Sequence, residues 1–243
     1  MSRKLLLGFT LTEVMIAVAI VGIVAAFTVP VVISNYNKQT MQALLQKNYI
    51  ELGQNLTTFQ SENIYRKSIF ASSLCMKQFS DRNVDNTAGT FLKNYYTVKQ
   101  DCGSETAQPC FADSYRSLED PTLKKFNCSG YSVKVAGGAA ICIYPATLSY
   151  RSLFGPNGMI REEMKNPARV TIDVNGAEEP NIGGRDIFTF NIYEDYSIAE
   201  FSPLLEDEEK ETMQKEVEAG CTSSEIGVGC LTKLMSANWK MNY

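Results

Sequence analysis

The sequence predicts an α+β protein: one long N-terminal helix, apolar in its first half and amphipathic in its second, packed on an antiparallel β-sheet. Three observations predict it. From Val14 to Ile33 twenty residues carry no charge. Beyond them Leu45, Tyr49, Leu52, Leu56 and Phe59 recur at steps of four and three, the stripe of a half-buried helix. After residue 130, short alternating segments bounded by glycine and asparagine replace the helical period.

The apolar run is of membrane length. At about 1.5 Å per residue its twenty residues cover roughly 30 Å, the thickness of bilayer hydrocarbon. Arg3 and Lys4 precede it, so the positive-inside rule puts the N-terminus in the cytoplasm and the chain after about residue 35 outside. An ordinary secretory signal ends its apolar core with a small-residue cleavage site. Here the basic leader MSRKLLLG ends in glycine before the apolar run, and no A-x-A site closes the run before Asn35. A cut after Gly8 would leave the helix on the mature protein, starting at Phe9; the plainer alternative is an uncut signal anchor. The expected organisation is a leader at 1–8, a membrane helix at 9–35 and an exported globular domain at 36–243.

The helix should continue to about Asn63, giving around 55 residues and roughly 80 Å. Pro30 removes a backbone hydrogen bond and should kink or locally melt it. Ala17, Ala19, Gly22, Ala25 and Ala26 let helices approach closely. Short helical patterns follow at Ser68–Phe79 and Thr90–Val98, and 101–122 reads as a surface loop. Tyr131–Val135 and Ala139–Tyr144 flank Gly137-Gly138 as a hairpin. Val170–Val174, Ile187–Ile192 and Ser197–Phe201 alternate as strands, four or five in all. Residues 206–218 hold seven acids and two lysines, a solvated helix that Gly220 ends. Leu231, Leu234 and Trp239 anchor the C-terminus to the core.

Composition excludes several chemistries. With no histidine there is no Ser-His-Asp or Cys-His catalysis and no His-ligated zinc. The acid pairs Glu162-Glu163 and Glu178-Glu179 read as surface. Net charge is −4, and −6 without residues 1–8, which argues against nucleic acid as a partner. The seven cysteines all lie after the apolar run and make no C-x-x-C pair, which fits disulfides in an exported, oxidising space. Short-range pairing joins Cys102 with Cys110, Cys128 with Cys142 and Cys221 with Cys230, leaving Cys75 over; spacing alone leaves the connectivity open.

The stretch LLLG/FTLTEVMIAVAIVGI resembles the class III signal of type IV pilins and type II secretion pseudopilins. The resemblance covers about 25 residues. It implies cleavage between Gly8 and Phe9 by a prepilin peptidase, N-methylation at Phe9, a helix kink at Pro30 and a pilin-like fold. It gives Glu13 a role: a carboxylate in the membrane costs several kcal/mol unless paired, and Glu13 of an incoming subunit would pair with the Phe9 amine of its neighbour. Partners implied are other pilin or pseudopilin subunits and an inner-membrane assembly platform. The stretch DVNGAEEPNIGGRDIF also resembles a segment of many pilin-like proteins, and more loosely the calcium loop of some pseudopilins. Asp173, Asn175 and Asp186 offer hard oxygen ligands, but Asn-Gly is equally a tight turn and Arg185 opposes a cation, so the structural turn is the favoured reading. No other cofactor is expected. The expected function is a structural filament subunit and not an enzyme; the alternative is a minor or tip subunit binding a surface, DNA or secretion cargo through 101–122 or 221–230.

Overall fold

The computed structural model describes residues 10–66, 84–145, 168–193, 196–201 and 207–243. Helix α1 runs Leu11–Arg66. Helix α2 (Val84–Tyr95) follows, then strands β1 (Val98–Gly103), β2 (Ser114–Tyr115), β3 (Lys124–Lys125), β4 (Tyr131–Val135), β5 (Ala140–Pro145), β6 (Ala168–Asp173), β7 (Ile187–Ile192) and β8 (Ile198–Ala199), and helices α3 (Asp207–Gly220) and α4 (Cys230–Ser236). Two compact units divide the chain, one ending at Thr40 and one from Met41 to Tyr243.

In the second unit an antiparallel sheet has the order β1-β4-β5-β6-β7-β8. The β4–β5 turn needs Gly138 at φ 93°, a backbone that residues with a Cβ avoid. Period-2 alternation sends Val133, Ile141, Val170, Ile172, Phe188 and Phe190 to one face, where Leu45, Leu52 and Leu56 of α1 meet them in the main core. Tyr49 and Phe59 lie at its margin with edge-on ring contacts, Tyr49 to Phe190 and Trp239, Phe59 to Phe91. The stripe read from the sequence is therefore the face that α1 buries.

The other face of the sheet is covered too, and there the sequence reading needs correction. Residues 101–122 are not a bare surface loop. They contain the end of β1 and strand β2, and with β3 they form a second core of Phe111, Tyr115, Phe126, Ala140, Cys142 and Ile187. Aromatic anchors at irregular spacing leave no periodic trace, so the layer looked like loop. Among the described residues the sheet has six strands rather than four or five, because α2 ends at Tyr95 and the chain after it becomes β1. Strand β8 is only Ile198–Ala199. The pattern at Ser68–Phe79 lies outside the described residues. Pro30 lies inside α1, and the helix is continuous through it rather than melted.

Candidate assembly site

The start of α1 is a capping box. Thr10 is the residue before the helix and Glu13 the third residue within it. Thr10 donates its backbone N–H and its hydroxyl to Glu13 Oε2, both at 2.8 Å, and Glu13 N–H returns a bond to Thr10 Oγ1 at 3.3 Å. The reciprocal bonds satisfy amides that a helix start leaves open. They also fix the carboxylate at the helix entrance with Oε1 uncommitted among the described residues. Sequence reading picked out Glu13 but missed Thr10; its signal was the spacing T-x-x-E.

From Leu11 to Ile33 the large apolar side chains are bare. Leu11 is 78% exposed and Phe27 76%. Among the described residues this is one helix long and apolar enough to cross a membrane, and none of its most apolar stretch is buried within the chain. An apolar face of this extent demands lipid or other protein. Residues 7–29, which include this helix start, match the family described as the prokaryotic N-terminal methylation motif. The chain thus carries the prepilin-type N-terminal methylation motif, which supports a type IV pilin-like or pseudopilin-like protein. No curated protein and no solved structure matches it. The motif and the apolar helix together fit membrane anchoring.

The remaining predicted residues fall in several places. Gly8, Phe9 and Cys75 lie outside the described residues, as do Glu162 and Glu163. Disulfides join Cys102–Cys110, Cys128–Cys142 and Cys221–Cys230. The first two tie the second layer to β1 and to β5 of the main sheet. The third closes the loop between α3 and α4. That loop is docked and not free: Gly229, at φ 87°, packs so closely that a Cβ there would strike the Val217 carbonyl. A role for 221–230 as a free recognition loop finds no support in this packing.

Asp173 and Asp186 come together at the base of the β6–β7 turn. Tyr115 donates its hydroxyl to Asp173 Oδ2 at 2.5 Å, and Asn175 N–H reaches Oδ1. Asp186 accepts N–H bonds from Asn181 at 2.6 Å and Ile182 at 2.7 Å. Asn175 spends its amide on the carbonyls of Glu178 and Glu179. Burial pushes the Asp173 carboxyl well up, with the nearby Asp186 charge adding to it, and burial raises Asp186 to about 6. The donor set ties β2 and the turn to the sheet, and each carboxylate already serves protein N–H or O–H groups. Melting curves of residues 36–243 in millimolar calcium and in chelator should superimpose. A melting temperature raised by calcium would instead make Asp173, Asn175 and Asp186 ligands.

Sequence reading missed Glu200 altogether. It is 3% exposed and accepts the N–H of Gly229 at 2.5 Å and of Thr232 at 2.7 Å, at the start of α4. Asn191 of β7 donates to its carbonyl. Glu200 thus joins the sheet edge to the disulfide-closed C-terminal segment. Burial raises its carboxyl to about 7 against the four bonds that favour the charge. A single acid after a short strand carries no pattern that would have revealed it.

Proposed function

We propose that the chain is a structural subunit of a type IV pilus or type II secretion pseudopilus. It is made as a single-pass inner-membrane precursor with its N-terminus in the cytoplasm and residues 36–243 exported. Prepilin peptidase cuts between Gly8 and Phe9, the new amine is methylated, and the helix from Phe9 enters a filament alongside other subunits at the assembly platform. The observation that carries the reading is the methylation motif on a helix whose apolar surface the chain itself leaves bare. Glu13 at the helix start then meets the neighbour's Phe9 amine, and Thr10 holds the carboxylate in position. The role is structural rather than catalytic, in keeping with the lack of histidine.

Mass spectrometry of the purified protein should find a chain that begins at a methylated Phe9. An intact Met1 or a cut after Asn35 would overturn the processing step. Immunogold labelling of sheared fibres should decorate their length; labelling at the tip alone would move the chain to the minor-subunit role.

A further inference from the structure

Helix α4 ends in a Schellman cap. Asn238 N–H donates to the Met235 carbonyl at 3.2 Å and Trp239 N–H to the Leu234 carbonyl at 2.6 Å. That motif places the residue after the cap in the left-handed region, and Asn238 lies there at φ 51°. Asparagine tolerates this conformation. The cap asks nothing similar of the next residue, yet Trp239 is left-handed too, at φ 59°. A bulky side chain avoids that region, so the backbone at Trp239 is strained.

The indole shows what holds the strain in place. Trp239 meets Tyr49 of α1 edge-on, 5.5 Å between centroids, at the margin of the main core. Two residues on, Met241 is buried in that core, and its N–H donates to Gln42 Oε1 at 3.3 Å. Gln42 and Tyr49 are seven residues apart, which puts them about two turns apart on one face of α1. They belong to the first turns of the second compact unit, which begins at Met41. The end of the chain therefore grips α1 where that unit starts. Tyr243 closes the segment, its ring centroid 5.5 Å from the Arg185 guanidinium carbon and 5.1 Å from Lys233 Nζ.

We propose that residues 237–243 are a strained clasp, with Trp239 as its bolt, that pins α1 at Gln42 and Tyr49 and opens as a local unit while the sheet stays folded. Strands β5, β6 and β7 each have a hydrogen-bonded neighbour on both sides. The clasp is a chain end that starts from a strained backbone and reaches α1 through a ring edge and a 3.3 Å bond. Segments held in this way open at the low end of a protein's range of local stabilities. Once open, the clasp leaves residues 41–49 of α1 without their C-terminal partners, whereas Leu52 and Leu56 keep their place in the core. It thereby decides how rigidly α1 is held in the turns that follow Thr40.

The test uses the full-length chain in detergent micelles. Trp239 is the single tryptophan, so its emission reports the clasp alone. In wild type, acrylamide should gain full access to Trp239 at urea concentrations at which the amides of β5, β6 and β7 are still protected from hydrogen exchange. Amides of residues 41–49 should exchange at least tenfold faster in Trp239→Ala than in wild type, with the sheet unchanged. Trp239→Gly also lacks the ring, but glycine has no Cβ to strain at φ 59°. Residues 41–49 should therefore be several-fold better protected in Trp239→Gly than in Trp239→Ala. An unstrained tail reverses that order, because glycine loses more freedom on ordering. Access to Trp239 that appears only together with loss of sheet protection overturns the clasp, and this wild-type measurement stands even if a variant fails to fold. Trp239→Ala that protects residues 41–49 as well as wild type or Trp239→Gly does overturns it as well.

Discussion

Replacing Glu13 with glutamine should leave the precursor processed but cut its entry into filaments at least tenfold. The proposed partner of Glu13 is the Phe9 amine of a neighbouring subunit, at the membrane. Removing one member of a desolvated ion pair leaves the other charge without compensation, and several kcal/mol is typical of such a loss. At about 1.4 kcal/mol for each factor of ten, a tenfold loss of assembly is the lower bound. Glutamine is a better test than alanine. Alanine also deletes the acceptor for the Thr10 N–H and hydroxyl, which costs the helix start roughly 0.5–2 kcal/mol. Glutamine keeps an oxygen for Thr10 and loses only the charge. Thr10→Val is the counterpart, since it disrupts the cap and keeps the charge. The quantities to compare are processed subunit in the membrane and subunit in sheared fibres, at equal expression. Glutamine-substituted fibres at wild-type yield would sink the charge-pairing role.

The legible parts of the protein were those with a period or a spacing. Leu45, Leu52 and Leu56 announce the buried side of α1, and β4, β5, β6 and β7 alternate in the strand manner. Glu13 stood out in the sequence because a lone acid beside an apolar run of membrane length is conspicuous. What was not legible depends on single long-range contacts. Tyr115 and Asp173 are 58 residues apart, Glu200 and Gly229 are 29 apart, and Met241 N–H reaches Gln42 Oε1 from 199 residues away. No local pattern encodes such pairs. The same is true of the second layer, where Phe111 and Phe126 meet as tilted rings 4.8 Å between centroids although no repeat relates them. Thr10 is the instructive case. Its capping motif was present in plain view, but the interest of Glu13 as an acid in the membrane concealed its local role.

The stability of residues 36–243 should fall as pH rises from about 4.5 to about 7, and Glu200 should account for much of the fall. Its ordinary carboxyl value is 4.5 and burial lifts it to about 7 in the folded chain. Below 4.5 the folded and unfolded chains both hold the proton, and the contribution is fully present. Between the two values the folded chain keeps the proton while the unfolded chain releases it. Stability changes with pH as the proton count of the unfolded state minus that of the folded state, so it declines throughout this window. Above about 7 both states are ionised and the slope from this group ends. At about 1.4 kcal/mol per tenfold change in proton affinity, the loss is on the order of 3 kcal/mol. Asp186, raised to about 6, and Asp173 push in the same direction, so the wild-type slope alone does not isolate Glu200. Glu200→Gln does. It cannot titrate, and its amide opposes one of the two N–H donors from Gly229 and Thr232, so the variant should be less stable at pH 4.5 and show a shallower decline toward pH 7.5. Urea unfolding of residues 36–243 at intervals of pH measures both curves. Parallel curves for wild type and Glu200→Gln would mean that the joint between β8 and α4 is held by its backbone bonds and the Cys221–Cys230 disulfide alone, with no proton linkage at Glu200.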